Sequence, residues 1–180
     1  MLLHVSCFDE RAKNIKGLLR AAKMLSEKRQ DWRLVLVGTG INYKDVRAYA
    51  QTIELPEGMI EWTGELTPQQ VASAMQQADA LVLSSRYETY GVVLAEATAA
   101  QLPILSTPVG IAEETGALLV SQEIAQHKPG KFAEFMESIL WSQEARGKRQ
   151  EPRVERERFR AEAIGKKLKE VYDSCLHHDI

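Results

Sequence analysis

Three features are scarce in this 180-residue sequence: cysteines, long apolar runs and an excess of charge of one sign. The two cysteines, Cys7 and Cys175, lie near opposite ends of the chain and match no metal-binding spacing. Two cysteines form no disulfide framework, so the sequence favours a reducing compartment and predicts a cytoplasmic protein. No run approaches the roughly 20 apolar residues of a membrane-spanning helix, although a location peripheral to the inner membrane face stays open.

The charge balance argues against a second class of protein. Lys and Arg total 23 and Asp and Glu total 25, which gives a formal net charge of −2. Without a basic excess we expect no nucleic-acid partner, although a local patch could still hold a phosphate. No His, Asp and Glu residues cluster at the spacing of a catalytic metal site, so we expect no metal cofactor.

The beginning of the chain resembles a strand. Residues 1–7 lack the basic region of a signal peptide and are too short for its apolar segment. Because the chain begins abruptly with this strand, we expect it to be a fragment of a longer protein.

Short apolar runs alternate with amphipathic stretches along the chain. Runs of strand length cover residues 1–7, 33–37, 59–63, 79–84, 102–107 and 117–120. Helical patterns cover residues 14–28, 42–53, 67–77, 91–100, 131–141 and 156–175. Asn42 is expected to cap its helix, and Thr67 and Gln70 predict a capping box. The alternation predicts an α/β fold, a Rossmann-like doubly wound parallel β-sheet flanked by helices, as a single domain over residues 1–180.

Four smaller features have ordinary structural interpretations. His4 lies in the first apolar run and is expected to be a hydrogen-bonded core residue, whereas His127 is expected in a surface loop. Gly38-Thr39-Gly40 lacks the third glycine of a dinucleotide fingerprint, because Tyr43 occupies that position. The polar segment 146–158 is expected to be a solvated connection.

The segment with the most chemical content covers residues 84–97, S-S-R-Y-E-T-Y-G-V-V-L-A-E-A. It follows a predicted strand, and ligands of open parallel sheets bind at the carboxyl ends of the strands. Gly91 opens a helix there. The free N–H groups of Gly91, Val92 and Val93, together with the helix dipole, predict an anion site.

Glu96 lies in the same helix among Val, Leu and Ala. A carboxylate in such surroundings is costly unless something binds it. Either it pairs with a buried Arg or a backbone group, or it accepts hydrogen bonds from ligand hydroxyls. The helix rises roughly 7 Å from Gly91 to Glu96, at about 1.5 Å per residue. A ligand along it could place one end at Glu88, a diphosphate at the helix start and a ribose at Glu96, which is the order of a nucleotide-sugar.

The spacing of Glu88 and Glu96 resembles the E-x7-E signature of the retaining GT-B glycosyltransferases of the group 1, or GT4, type. Further segments resemble the C-terminal domain of that family: residues 4–22, 34–40, 62–64, 78–80, 102–110 with Glu113, and Val171-Tyr172. The resemblance covers nearly the whole chain. The combined pattern is far more specific than any one piece.

The resemblance implies a role for each matching residue. Glu88 would be the catalytic-site carboxylate that positions the donor sugar through its hydroxyls. Glu96 would bind the ribose, and Lys13 would neutralise the diphosphate. The remaining donor contacts implied are the backbone amides of Tyr90, Gly91, Val92 and Val93 at the diphosphate, and Glu65 and Leu66 near the base.

Two residues depart from the family pattern. Cys7 occupies the position of an Arg that grips the diphosphate, and a thiol cannot replace a bidentate guanidinium. Arg11, in the following loop, is the expected substitute. Ile111 replaces a second glycine after Gly110, which changes the expected shape of that turn.

The implied protein is one half of a GT-B enzyme that transfers a sugar from a nucleotide-diphosphate-sugar, with retention and without a metal. The N-terminal Rossmann-like domain, which binds the acceptor, has no counterpart in the sequence. We expect the chain alone to bind nucleotide and not to transfer sugar. The sequence does not distinguish UDP, GDP and ADP as the donor nucleotide. It identifies neither the sugar nor the acceptor. The alternative is a non-catalytic nucleotide-binding or regulatory module, and Cys7 is the residue that supports it. A nucleotide-sugar epimerase is disfavoured by the pair of Glu88 and Glu96.

Overall fold

The computed structural model describes residues 1–142. Within them, six strands alternate with helices. The strands are β1 (Leu2–Val5), β2 (Leu34–Val37), β3 (Ile60–Gly64), β4 (Ala80–Leu83), β5 (Ile104–Ser106) and β6 (Leu118–Leu119). The helices are α1 (Glu10–Lys13), α2 (Ile15–Lys28), α3 (Tyr43–Thr52), α4 (Pro68–Gln77), α5 (Val92–Ala99), α6 (Gln122–His127) and α7 (Pro129–Trp141), with a short 3₁₀ helix at Ala112–Thr115.

The sheet has the order β3-β2-β1-β4-β5-β6, and every pairing is parallel. This is the strand order of a doubly wound Rossmann-type sheet, so the predicted fold class is confirmed. The order reverses between β1 and β4, where Leu2 pairs with Ala80. Ligands of such sheets bind outside the carboxyl ends of the strands at this reversal.

Helices cover both faces of the sheet, which explains why β2 and β4 are continuous, fully buried apolar runs. On one face, Leu2, Leu34 and Leu36 pack with residues of α2 and α7. On the other face, the alternate strand residues Leu3 and Val35 pack with residues of α4 and α5. The site elements are therefore mounted on a sheet that is buried on both sides.

Two helices were not predicted. α1 is a single turn of four residues, capped by the Asp9 carboxylate, which accepts from the amide of Arg11 at 3.1 Å. α6 has six residues and a Ser121 cap, and His127 is its exposed last residue rather than a loop residue. Elements this short contain too few turns to produce a readable 3.6-residue period.

The two predicted helix caps have opposite outcomes. The Thr67 capping box is confirmed, with Gln70 as its partner and Pro68 in the first turn. The Asn42 side-chain cap is wrong, because its Oδ1 accepts from the amide of Glu10 at 3.0 Å and forms no cap bond to its own helix. Here a bond between loops of neighbouring strands replaces the local one.

Several predictions fall on residues that the structure does not describe. The 156–175 helix, the polar segment 146–158, Val171-Tyr172 and Cys175 lie outside the described residues. Within residues 1–142, no helix is long and apolar enough to cross a bilayer.

His4 is a fully buried residue of β1, and its prediction as a hydrogen-bonded core residue is confirmed. Its Nδ1 lies 2.8 Å from the Val82 carbonyl oxygen, so this nitrogen carries the proton and donates. Its Nε2 then accepts from the Ser6 hydroxyl at 2.8 Å. Burial lowers the pKa of His4 from 6.5 to about 4, because the charged form would lose its hydration.

This pKa predicts a pH dependence of stability. The folded pKa lies below the unfolded one, so the contribution is complete above pH 6.5 and is lost as the pH falls towards 4. The full loss is about 3 kcal/mol, at about 1.4 kcal/mol per pKa unit. We expect a His4→Asn variant to lose less stability than the wild type between pH 6.5 and 4 in urea denaturation. Equal losses in the two proteins would contradict this assignment.

Candidate functional site

The carboxyl end of β4 is tied to the junction between α1 and α2. The Ser84 hydroxyl lies 3.0 Å from the carbonyl oxygens of both Lys13 and Asn14. Asn14 is fully buried in the left-handed conformation, with φ 51°. Its side-chain amide donates to the carbonyl oxygens of Ser84 at 3.2 Å and Ala125 at 3.1 Å. These contacts place the end of α1 directly over the strand reversal.

Lys13 and Glu88 meet at this point. The Lys13 ammonium lies 2.6 Å from Glu88 Oε2, and the two side chains are only 12% and 11% exposed. Ser85 donates its hydroxyl to Glu88 Oε1 at 2.8 Å, so both carboxylate oxygens have a partner. The Ser85 carbonyl in turn accepts from the Thr107 hydroxyl at 2.6 Å. The cation and the carboxylate that the sequence singled out are therefore in contact across 75 residues of chain.

The helix that follows Glu88 begins without a side-chain cap. Gly91 is the N-cap of α5 and has φ 80°, a conformation that favours glycine. A helix start with no protein side chain on its first amides can receive an anion. The Tyr90 carbonyl oxygen accepts from the amide of Ile111 at 3.0 Å, so the loop after β5 supports this start.

The turn at Gly110 and Ile111 tolerates the departure from two consecutive glycines. A Cβ at Gly110 would overlap the Tyr90 carbonyl oxygen, so this glycine is needed for the close approach of the two loops. Ile111 has φ −88°, which any residue adopts, and its side chain is 6% exposed within the core that α5 covers. An isoleucine therefore occupies the second position without backbone strain.

Glu96 lies exposed on α5. The helix turns this position away from Leu94 and Ala97, which are buried. Partial desolvation still raises the pKa of Glu96. No other residue of 1–142 forms an ion pair or a hydrogen bond with its carboxylate. The exposed carboxylate has no partner among the described residues.

The comparisons with known proteins identify the family. Residues 1–154 match the family described as glycosyl transferases group 1. This chain belongs to the group 1 glycosyltransferases. A D-inositol 3-phosphate glycosyltransferase from Corynebacterium aurimucosum is 26% identical over 190 aligned residues, covering 98% of this chain and 44% of that protein. An N-acetyl-α-D-glucosaminyl L-malate synthase from Bacillus anthracis is 30% identical over 111 residues, 61% of this chain and 28% of the relative.

Solved glycosyltransferases share the fold. HepE from Anabaena, crystallised with UDP-glucose, superposes with a TM-score of 0.76 at 18% identity, over 96% of this chain and 48% of HepE. The C-terminal domain of a group 1 glycosyltransferase, LpcC from Francisella tularensis, gives 0.66 at 18% identity over 81% of this chain and 77% of that domain. The chain spans between 21% and 44% of the length of the curated relatives it matches.

The other residues expected to contact the donor follow β1 and β3 at the carboxyl ends of these strands. Arg11 lies in α1 rather than in a loop, and its side chain is 85% exposed. Cys7 is a free, exposed thiol between β1 and α1. Glu65 is exposed after β3 and accepts from the Thr39 hydroxyl at 2.5 Å. Leu66 packs against the core under α4 and α5. Glu65 and Leu66 follow the outer strand β3, which lies three strands from β4 in the sheet.

Two site residues were missed by sequence reasoning. Ser85 was assigned no functional role, although it donates a hydrogen bond to Glu88. Arg86 received no role, although it bonds to α1 and α6. A serine and an arginine placed between a strand end and the first carboxylate were the available signal. In the described part of the chain, no three His, Cys, Asp or Glu side chains are grouped to hold a metal ion.

Glu96 generates a stability prediction. Its raised pKa means that the folded state disfavours its ionised form, so removing the charge at neutral pH should stabilise the fold. We expect Glu96→Gln to unfold at a slightly higher temperature than the wild type at pH 7. The gain in the free energy of unfolding should be no more than about 0.5 kcal/mol, because the position is exposed. The gain should disappear at acidic pH, where the wild-type carboxyl is protonated. A variant less stable than the wild type at pH 7 would contradict the prediction.

Proposed function

We propose that this chain is the donor-binding half of a retaining, metal-independent glycosyltransferase that transfers a sugar from a nucleotide-diphosphate-sugar. One observation carries the proposal. Lys13 and Glu88 meet at the strand reversal, and the next element along the chain is the uncapped start of α5. A cation and an open helix start side by side suit a diphosphate, and the carboxylate between them suits sugar hydroxyls.

Glu88 and Lys13 divide the two parts of the donor between them. The hydrogen bond from Ser85 holds the Glu88 side chain in one rotamer. The carboxylate can therefore accept from sugar hydroxyls without a further loss of side-chain freedom. The Lys13 ammonium has three donors and uses one on Glu88, which leaves two for diphosphate oxygens. We assign Glu88 a positioning role rather than that of a nucleophile.

The remaining donor contacts follow along α5 and the neighbouring loops. The amides of Tyr90, Gly91, Val92 and Val93 would bind the diphosphate at the helix start. Glu96, one turn further, would accept from the ribose hydroxyls. Glu65 and Leu66 would lie beside the base, on the side of the sheet edge away from Glu88.

Charge stabilisation accounts for transfer without a metal. The leaving diphosphate gains negative charge in the transition state, and fixed donors aimed at that charge lower the barrier. Lys13 and the start of α5 would supply this stabilisation. Transfer by the complete enzyme is therefore expected to persist after extensive treatment with EDTA.

A second domain would complete the enzyme. The curated relatives are more than twice as long as the stretch they share with this chain, which covers at most 44% of their length. We infer that residues 1–180 are the C-terminal donor domain, and that an N-terminal Rossmann-like domain of the same protein binds the acceptor. The chain alone would then bind nucleotide but not transfer sugar.

Cys7 favours the alternative of a nucleotide-binding module without turnover. It is exposed after β1, at the position where the family has an arginine. A thiol offers one weak donor where a guanidinium offers a bidentate pair. Arg11 would replace part of that charge from its exposed position.

The donor site is tested by calorimetric titration of the chain with UDP, GDP and ADP. We expect one nucleotide to bind selectively and Glu96→Ala to weaken it about ten-fold, because a carboxylate that accepts from ribose hydroxyls contributes on the order of 1.5 kcal/mol. Lys13→Ala should weaken the same nucleotide by a similar factor.

Glu57→Ala is the matched control for this titration. Glu57 is an exposed carboxylate that precedes β3. It therefore lies at the amino end of that strand, whereas the proposed site lies at the carboxyl ends. Its removal should leave the affinity unchanged. The absence of binding at millimolar concentration, or equal effects of Glu96→Ala and Glu57→Ala, would refute the donor site.

Cys7 gives a gain-of-function prediction. Cys7→Arg should tighten nucleotide diphosphate binding roughly three- to ten-fold, because an exposed position can accommodate a guanidinium that grips the phosphates. Cys7→Ser is the control and should bind like the wild type. If the arginine and serine variants bind equally, the thiol position does not face the diphosphate.

A further inference from the structure

Arg86 lies in the loop after β4, two residues before Glu88, and its guanidinium is bound on two sides. Towards α1, Nη1 donates to the carbonyl oxygens of Glu10 at 2.6 Å and Arg11 at 3.3 Å. Nη2 donates to Asn14 Oδ1 at 2.8 Å, at the junction with α2. Towards α6, Nε donates to Gln126 Oε1 at 3.1 Å.

The backbone of Arg86 also bonds to α1 on one side and to α6 on the other. The amide of Arg86 donates to the Ala12 carbonyl oxygen at 2.7 Å, and the next amide, of Tyr87, lies 3.3 Å from the same oxygen. The Arg86 carbonyl oxygen accepts from the side chain of Gln122, in α6, at 2.8 Å. Arg86 therefore joins α1, the loop that carries Glu88, and α6.

The helix α1 depends on such contacts for its position. It has four residues and none of them is buried, so no apolar core holds it. An isolated turn of this length is unstable in water. Its last carbonyl groups need partners, and a cation at the carboxyl end of a helix also suits the helix dipole. Arg86 supplies both to the turn that ends at Lys13.

We propose that Arg86 is the positioning residue of the donor site: it fixes α1 against the loop after β4, so that Lys13 is held at Glu88 ready for the diphosphate. The proposal rests on the donor-site function above. Arg86 acts through Lys13 and does not itself touch the ligand. Four hydrogen bonds to the protein engage most of its five N–H groups, so it is not the substitute for the arginine replaced by Cys7.

The test is a double-mutant cycle in the 180-residue chain. Nucleotide affinity is measured by calorimetry with UDP, GDP and ADP, and the tightest of the three is carried through Lys13→Ala, Arg86→Gln and the double variant. Arg86→Gln should weaken binding roughly three- to ten-fold, as expected when one charge-assisted contact is displaced. In the Lys13→Ala background the same change should weaken binding less than about two-fold, because the residue it positions is gone.

Arg20→Gln is the matched control. Arg20 donates to the backbone carbonyl oxygen of Gln126 at 2.9 Å, so it binds the same residue of α6 but does not contact α1. Its loss should leave the nucleotide affinity unchanged. If Arg86→Gln does not fold, Arg86→Lys replaces it in the cycle, since an ammonium keeps the charge near α1 but cannot span to α6.

The outcomes separate the two proposals. If the wild type binds none of the three nucleotides, or if Lys13→Ala has no effect, the donor site fails and the role of Arg86 fails with it. If the wild type binds and Lys13→Ala weakens binding, but Arg86→Gln has no effect or matches Arg20→Gln, only the positioning role is overturned. Losses that add fully in the double variant would also overturn it, since they mean that Arg86 acts independently of Lys13.

Discussion

The contact between Lys13 and Glu88 depends on one topological constraint, the parallel pairing of β1 with β4. Residues on either side of the strand reversal are distant in sequence, yet their loops leave the sheet side by side. Both residues follow strands that are buried on two faces, so the sheet fixes where their loops begin. The ion pair is largely shielded from solvent, which reduces the screening that weakens pairs at the surface.

Around this contact, the site is built from polar bonds rather than from an apolar core. Ser84, Ser85, Asn14 and Arg86 connect α1, the end of β4 and α6, while α1 itself buries no residue. Directional bonds hold the atoms at defined distances and still leave the edge open to a ligand. Partial desolvation raises the pKa of the exposed Glu96 carboxyl, so its charge slightly opposes folding.

The sequence predicted the layers of the fold better than the details of the site. Strands such as β2 were readable because burial on two faces requires an unbroken apolar run, and the Thr67 cap was readable because it is local. The helices α1 and α6 are too short to show the 3.6-residue apolar period of a helix in the sequence. The roles of Arg86 and Asn42 were not assigned, because their partners lie in distant segments of the chain and several of them are backbone groups, which any residue type carries. The exposure of Glu96 was not predictable from its apolar neighbours in the sequence, because they do not show that this face of α5 is open.

The central claim is that the start of α5 and Lys13 form a diphosphate site. The most direct test is an NMR titration of the ¹⁵N-labelled chain with inorganic pyrophosphate, which shares its diphosphate with every donor nucleotide. The account predicts that the largest amide shifts occur at Tyr90, Gly91, Val92 and Val93, and that Lys13→Ala reduces them. Shifts centred elsewhere in the domain, or no shift at millimolar pyrophosphate, would contradict it.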